Sequence, residues 1–191
     1  GFGQPSVFNT DAIIQELLRQ GKSIIDARNG GASGCVETGA FGTECYWLTG
    51  YFNLVKIFEL TMNNGTDPLT GKQTGLQTGD PEQFRSFDEL VEAYRKQVNY
   101  FVDIKIRGNN VIGRTFSEYL PVPFLSLLIE DCIKNGTDYN SGGARYNTTY
   151  IQGVGLGSIT DILTSVKYNI YDNGKYSWTE LREALAADFR G

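Results

Sequence analysis

The chain has 191 residues, with 17 Lys and Arg against 22 Asp and Glu, no histidine, and a formal net charge of -5. A mildly acidic balance without a basic cluster argues against a nucleic-acid partner, and the sequence shows neither a run of about eighteen apolar residues nor a signal-peptide pattern. At 40% hydrophobic and 13% aromatic residues it reads as one compact, cytoplasmic unit with a real core.

In chain order, Thr10 is the expected cap of a first helix whose Ile13, Ile14, Leu17 and Leu18 form one apolar face and which Gly21 ends. A brief helix from Ser23 to Arg28 leads into a glycine-rich run, Gly30 to Gly42. Leu54, Ile57, Phe58 and Thr61 then mark a helix that stops at Asn63-Asn64-Gly65. The stretch from Thr66 to Pro81, rich in Gly, Thr, Asp and Pro, reads as a surface excursion. Ser86 and Glu89 have the capping-box spacing and open a long helix, periodic through Leu90, Tyr94, Val98, Phe101, Ile104 and Ile112 to about Tyr119, with Gly108 and Gly113 as points for a bend.

Pro121 and Pro123 break that helix, and the apolar run Phe124 to Leu128 is readable as a buried strand or as the start of the next helix. A strand is expected from Arg145 to Gln152, a helix from Ser158 to Ile170, and a last helix from the Ser177 and Glu180 capping box toward Asp188. Short strands separated by long helices favour parallel pairing through helical crossovers, which makes the fold class α/β and helix-rich.

Within the glycine-rich run, Gly34-Cys35-Val36-Glu37 sets a thiol and a carboxylate two positions apart, so in extended backbone they share a face. Glycines at 30, 31, 34, 39 and 42 let the backbone turn sharply or approach another group closely. No basic side chain lies between Arg28 and Lys56 and the chain has no histidine, so nothing nearby in sequence lowers the pKa of Cys35. A neighbouring acid disfavours the thiolate further. An uncharged thiol beside a carboxylate suits two situations. One is a buried structural cysteine. The other is a thiyl radical that removes a hydrogen atom while the carboxylate takes the accompanying proton.

The three cysteines, 35, 45 and 132, fit no zinc or redox spacing, and their odd number points to reduced thiols. Gly153-Val154-Gly155-Leu156-Gly157 lacks both the GxGxxG spacing and the P-loop lysine, so it reads as a close-packed strand-to-helix turn before a phosphate cradle. Arg145, beside Tyr146 and Asn147, is either a salt-bridge partner or a cation for an anionic substrate group.

Taken together, Gly34-Cys35-Val36-Glu37-Thr38-Gly39, Leu48-Thr49-Gly50-Tyr51-Phe52-Asn53, Gly142-Gly143-Ala144-Arg145-Tyr146-Asn147-Thr148 and Tyr150-Ile151-Gln152-Gly153-Val154-Gly155 resemble the glycyl radical enzymes of the pyruvate formate-lyase type. The likeness runs over essentially the whole chain. It is strongest to the eliminases, above all to the branch that dehydrates trans-4-hydroxy-L-proline, with the isethionate sulfite-lyases sharing much of the pattern. The resemblance implies a ten-stranded α/β barrel with the cysteine on a central loop. It implies that Cys35 becomes the thiyl radical, that Glu37 is the general base, and that Tyr51 lines the substrate pocket, although on its own Tyr51 reads equally as a packing aromatic.

Ala40 and Thr43-Glu44-Cys45 depart from the dehydratase pattern, which has a cysteine near 40 and Lys-Glu-Ala at 43 to 45; the departures bear on substrate and leave the reaction class intact. The resemblance also implies no bound metal or organic cofactor, a glycyl radical held on an Arg-Val-x-Gly segment outside these residues, its installation by a radical-S-adenosylmethionine activating enzyme, and a homodimer. Residues 1–191 are then expected to be an internal segment of the catalytic domain, without the C-terminal glycine radical domain and inactive alone. The alternative outside enzymology is a helical binding or scaffold module in which Cys35 is a buried structural cysteine.

Overall fold

The computed structural model describes residues 8–33 and 37–190. Where composition suggested one compact body, the chain forms two compact units, residues 1–50 with 108–151 and residues 51–107 with 152–191.

The first unit opens with α1 (Thr10–Arg19) and α2 (Ile24–Arg28). Asn9, one residue before the expected cap, accepts a hydrogen bond from the Ala12 N–H at 3.0 Å, and Ser23 caps α2 in the same way. The glycine-rich run, read as a loop from sequence, forms a hairpin of β1 (Gly30–Ser33) and β2 (Glu37–Ala40), antiparallel, with Gly30 opposite Ala40 and Ser33 opposite Glu37. Leu17 of α1 is buried against it, and a Cβ on Gly30 would fall 2.6 Å from the Leu17 side chain and 2.5 Å from the Gly39 carbonyl. Glycine is therefore required there by close approach.

A turn through Phe41 to Thr43 leads into β3 (Glu44–Asn53), also unanticipated. Its neighbour is β4 (Tyr146–Val154). The Tyr146 N–H bonds the Thr43 carbonyl at 3.1 Å and the Tyr150 ring stacks on Tyr46, so partners advance in step along both chains, the sense of a parallel pair. Cys45, Cys132, Tyr139 and Ala144 form the unit's small core, with Trp47, Val122 and Ile129 packed against it. The end of α4 (Phe87–Tyr119) closes over Trp47 at Gly113, where a Cβ would lie 2.5 Å from the indole. Phe124 to Leu128 supplies a short helix, α5 (Pro123–Ser126), and α6 (Cys132–Asn135) follows.

The second unit contains α3 (Leu54–Met62), the start of α4, α7 (Leu156–Val166), a π-helical turn (Lys167–Asp172) and α8 (Trp178–Ala186). Its core is Phe58, Leu90, Ile159, Val166 and Trp178. Each such side chain contributes about 1.5–3 kcal/mol on full burial. Ser86 accepts from the Glu89 N–H at 3.3 Å, while Glu89 reaches back to the Arg85 N–H at 2.9 Å, one residue beyond the usual box. The Ser177 and Glu180 box forms as expected. The excursion from Thr66 to Pro81 is pinned at its centre, because the buried Gln97 carboxamide accepts from the Leu76 N–H at 2.9 Å and donates to the Leu76 carbonyl. Gly155, at φ +89°, starts α7 so close to Val55 that a Cβ would sit 2.9 Å from it, which is the close-packed turn expected of the Gly153 to Gly157 run. Among the described residues no helix is long and apolar enough to cross a membrane.

Candidate active site

The hairpin brings Glu37 to the first position of β2, half-buried, at a cleft of about 330 Å³ whose lining includes Ser33, Glu37, Glu44, Tyr46 and Tyr139. Ser33 and Glu37 are the last paired positions of the two strands. Cys35, between them in sequence, lies outside the described residues.

The base of the hairpin is held by Glu44. Its carboxylate accepts the Ala40 N–H at 2.8 Å and pairs with the Lys22 ammonium at 2.9 Å, both side chains being buried. The Thr43 N–H and hydroxyl both donate to the Ala40 carbonyl, at 3.3 and 3.2 Å, which closes the turn between β2 and β3. Tyr150 on β4 donates to the Thr38 carbonyl, and its hydroxyl lies 3.5 Å from the same Glu44 carboxylate. Ala40, one of the positions that depart from the dehydratase pattern, and Glu44, which matches it, are thus both buried parts of the hairpin's anchorage.

Arg145 takes the salt-bridge role. It bonds Asp26 at 3.0 Å, Glu130 at 2.7 Å and Asp131 at 3.0 Å, which raises its pKa further above the ordinary arginine value, mainly through Asp131. Tyr146 donates to Asp26 at 2.7 Å and accepts the Ser23 N–H at 3.0 Å. The Tyr146 and Ser23 hydroxyls, together with the Arg145 charge, hold the Asp26 carboxyl below the usual carboxylate range. This second network ties β4 to α2, just ahead of β1.

Burial raises the pKa values of the thiol and phenols around the site. The Cys45 thiol is pushed up to about 11 and Tyr139 to about 12, chiefly by desolvation. Tyr46 and Tyr150 are also raised, by burial first, with the Glu44 and Glu37 charges adding to it. Cys45 and Cys132 are free, buried thiols, as the odd count suggested. Among the described residues no group of three or more Cys, Asp and Glu is placed to hold a metal ion.

Tyr51 belongs to the second unit, at the end of β3, and is 69% exposed, so it does not pack within that unit. The residues that sequence reasoning passed over are Lys22, Glu44, Tyr46 and Tyr150. Tyr150 stood within a quoted motif, but no local signal ties any of the four to the hairpin.

Known proteins sharpen this picture. The family described as Pyruvate formate lyase-like matches residues 1–191. Trans-4-hydroxy-L-proline dehydratase of Clostridioides difficile is 56% identical over 191 residues, covering 100% of this chain and 24% of that protein. (2S)-3-sulfopropanediol dehydratase of Klebsiella oxytoca is 33% identical over 192 residues, 100% of this chain and 23% of the relative. Isethionate sulfite-lyase of Desulfovibrio desulfuricans is 28% identical over 195 residues, 100% of this chain and 24% of the relative. Among solved structures, the hydroxyproline dehydratase of Clostridioides difficile with trans-4-hydroxy-L-proline bound superimposes with a TM-score of 0.94 at 57% identity, over 99% of this chain and 24% of that one. The chain belongs to the Pyruvate formate lyase-like family, whose matched members here are dehydratases and lyases. It spans about a quarter of the length of these curated relatives.

Proposed function

We propose that this chain is an internal segment of the catalytic domain of a glycyl radical dehydratase whose substrate is trans-4-hydroxy-L-proline. The observation that carries the reading is the 56% identity to trans-4-hydroxy-L-proline dehydratase along the whole chain, twice the 28% shared with isethionate sulfite-lyase.

In this reading Cys35, as a thiyl radical, takes a hydrogen atom from the substrate, forming an S–H bond and a carbon-centred substrate radical. Glu37 accepts a substrate proton, and that proton leaves with the hydroxyl group as water. The product radical recovers a hydrogen atom from Cys35, which restores the thiyl and gives a pyrroline carboxylate with no net oxidation. The carboxylate of Glu37 suits a general base because it stands half-buried at a cleft, where water is reduced. Tyr51, exposed at the end of β3, is free to contact substrate. The reading carries with it a ten-stranded barrel around the hairpin, a glycyl radical on a segment of the longer protein, a radical-S-adenosylmethionine activating enzyme, a homodimer, and a cytoplasmic, anaerobic setting.

The test uses the full-length protein, activated by its radical-S-adenosylmethionine partner and supplied with trans-4-hydroxy-L-proline. Pyrroline carboxylate should form, and Cys35→Ala and Glu37→Gln should each abolish turnover while electron paramagnetic resonance still detects the glycyl radical. Release of sulfite and acetaldehyde from isethionate, with hydroxyproline untouched, would reassign the substrate. Full turnover by either variant would refute the roles given to the two residues.

A further inference from the structure

Each residue of β2 after Glu37 is held by a different group. Thr38 receives the Tyr150 O–H on its carbonyl, and Ala40 gives its N–H to Glu44 at 2.8 Å. Between them, Gly39 lies under the Tyr46 ring so closely that a Cβ would fall 1.6 Å from the phenol oxygen. The Tyr46 and Tyr150 rings are themselves stacked, with centroids 5.3 Å apart and planes 15° from parallel. The Tyr46 hydroxyl is buried with no hydrogen-bond partner among the described residues, so what the described structure shows of this ring is its packing on Gly39 and Tyr150.

We infer that the stacked pair Tyr46 and Tyr150 clamps the β2 backbone at Thr38 and Gly39 and thereby positions the Glu37 carboxylate, with Tyr150 as a positioning residue for the elimination. The inference rests on the general-base role proposed for Glu37. Its physical basis is the short lever between clamp and carboxylate: Glu37 is joined directly to Thr38, so freedom at that carbonyl passes to the base almost undiminished. Stacking fixes where the Tyr150 hydroxyl points, and the absence of a side chain on Gly39 lets the ring pair approach the strand. Two strands that are distant in sequence therefore converge on one peptide unit, next to the one residue of β2 that the reaction uses.

Tyr150→Phe in the full-length, activated protein tests this, since it keeps the ring and its stack and removes a single oxygen. A misplacement on the order of 1 Å lowers rate by roughly 100-fold, so kcat should fall by about 10- to 100-fold, with KM and glycyl radical yield unchanged. The acidic limb of the kcat against pH profile, where Glu37 loses its function as a base, should also move. Hydrogen–deuterium exchange in the peptide spanning residues 37–40 should rise, a readout independent of any substrate. Wild-type kcat, or a lower kcat with an unmoved pH profile and unchanged exchange, overturns the clamp. If even the unmodified protein leaves hydroxyproline untouched, the substrate assignment fails by itself, and the exchange measurement decides whether Tyr150 restrains the strand.

Discussion

Lys22 and Glu44 form an ion pair at 2.9 Å whose side chains are 2% and 0% exposed. A pair so shielded adds little net stability over an apolar substitute, but losing one partner leaves an uncompensated charge in the interior. Lys22→Met is therefore expected to cost about 3–5 kcal/mol, and the double variant Lys22→Met with Glu44→Gln markedly less. Urea denaturation of the full-length protein provides the measurement. Equal losses for the single and double variants would show that the pair does not act as a unit.

Two glycines of α4 should respond to alanine in opposite directions. At Gly108 nothing lies within 4 Å of the added methyl, so Gly108→Ala should stabilise by about 0.5–1 kcal/mol through reduced chain entropy. At Gly113 the methyl would sit 2.5 Å from the Trp47 ring, and displacing a packed indole costs about 1–3 kcal/mol. Thermal melts of the two variants side by side decide it. A gain in both would mean that Trp47 moves freely.

Lys56 and the Thr70 hydroxyl, each 2.7 Å from Asp67, hold its carboxyl at about 2, below the ordinary aspartate value. Because the folded-state pKa is depressed, the contribution of Asp67 is fully present above the unfolded value of about 4 and fades as pH falls from there through about 2. Asp67→Asn should thus be less stable than the unmodified protein at pH 6, with the gap narrowing over that window. Denaturation midpoints recorded from pH 2 to 6 give the comparison, and a gap that widened on acidification would reverse the sign argued here.

With its thiol pushed up to about 11, Cys45 holds almost no thiolate at neutral pH, and burial also raises Cys132. Iodoacetamide at pH 7.5 should label neither in the folded protein and both after denaturation. Mass-spectrometric peptide mapping reads the result. Rapid native labelling of Cys45 would mean that its core opens readily.

The elements that sequence revealed are those written in a few adjacent residues. The Ser23, Ser86 and Ser177 caps each work across three positions, and all three helices begin where those serines stand. The hairpin escaped notice because Gly30, Gly31 and Gly39 weaken any strand signal, although Leu17, the Phe41 ring and the Tyr46 ring each require a glycine beneath them. In β3, Tyr46 faces Tyr150 while Cys45 and Trp47 join the small core, so both faces are engaged and no polar alternation marks the strand. At the candidate site, the spacing of Cys35 and Glu37 left a structural cysteine and a reactive pair both open, and only the resemblance chose between them. Their supports were not legible, because Tyr150 meets Thr38 across 112 positions of sequence, a distance over which pattern carries no information.

That separation has a temporal side. Cys45 is buried against Cys132, Tyr139 and Ala144, and Tyr46 against Tyr150, so the first stretch of the first unit is made well before its partners exist. At synthesis rates of roughly 5–20 residues per second, on the order of ten seconds pass between the emergence of β3 and that of β4. Throughout that interval the strand that will anchor the hairpin has an unpaired edge, and the nascent protein is open to wrong partners at the very segment that supports the candidate site.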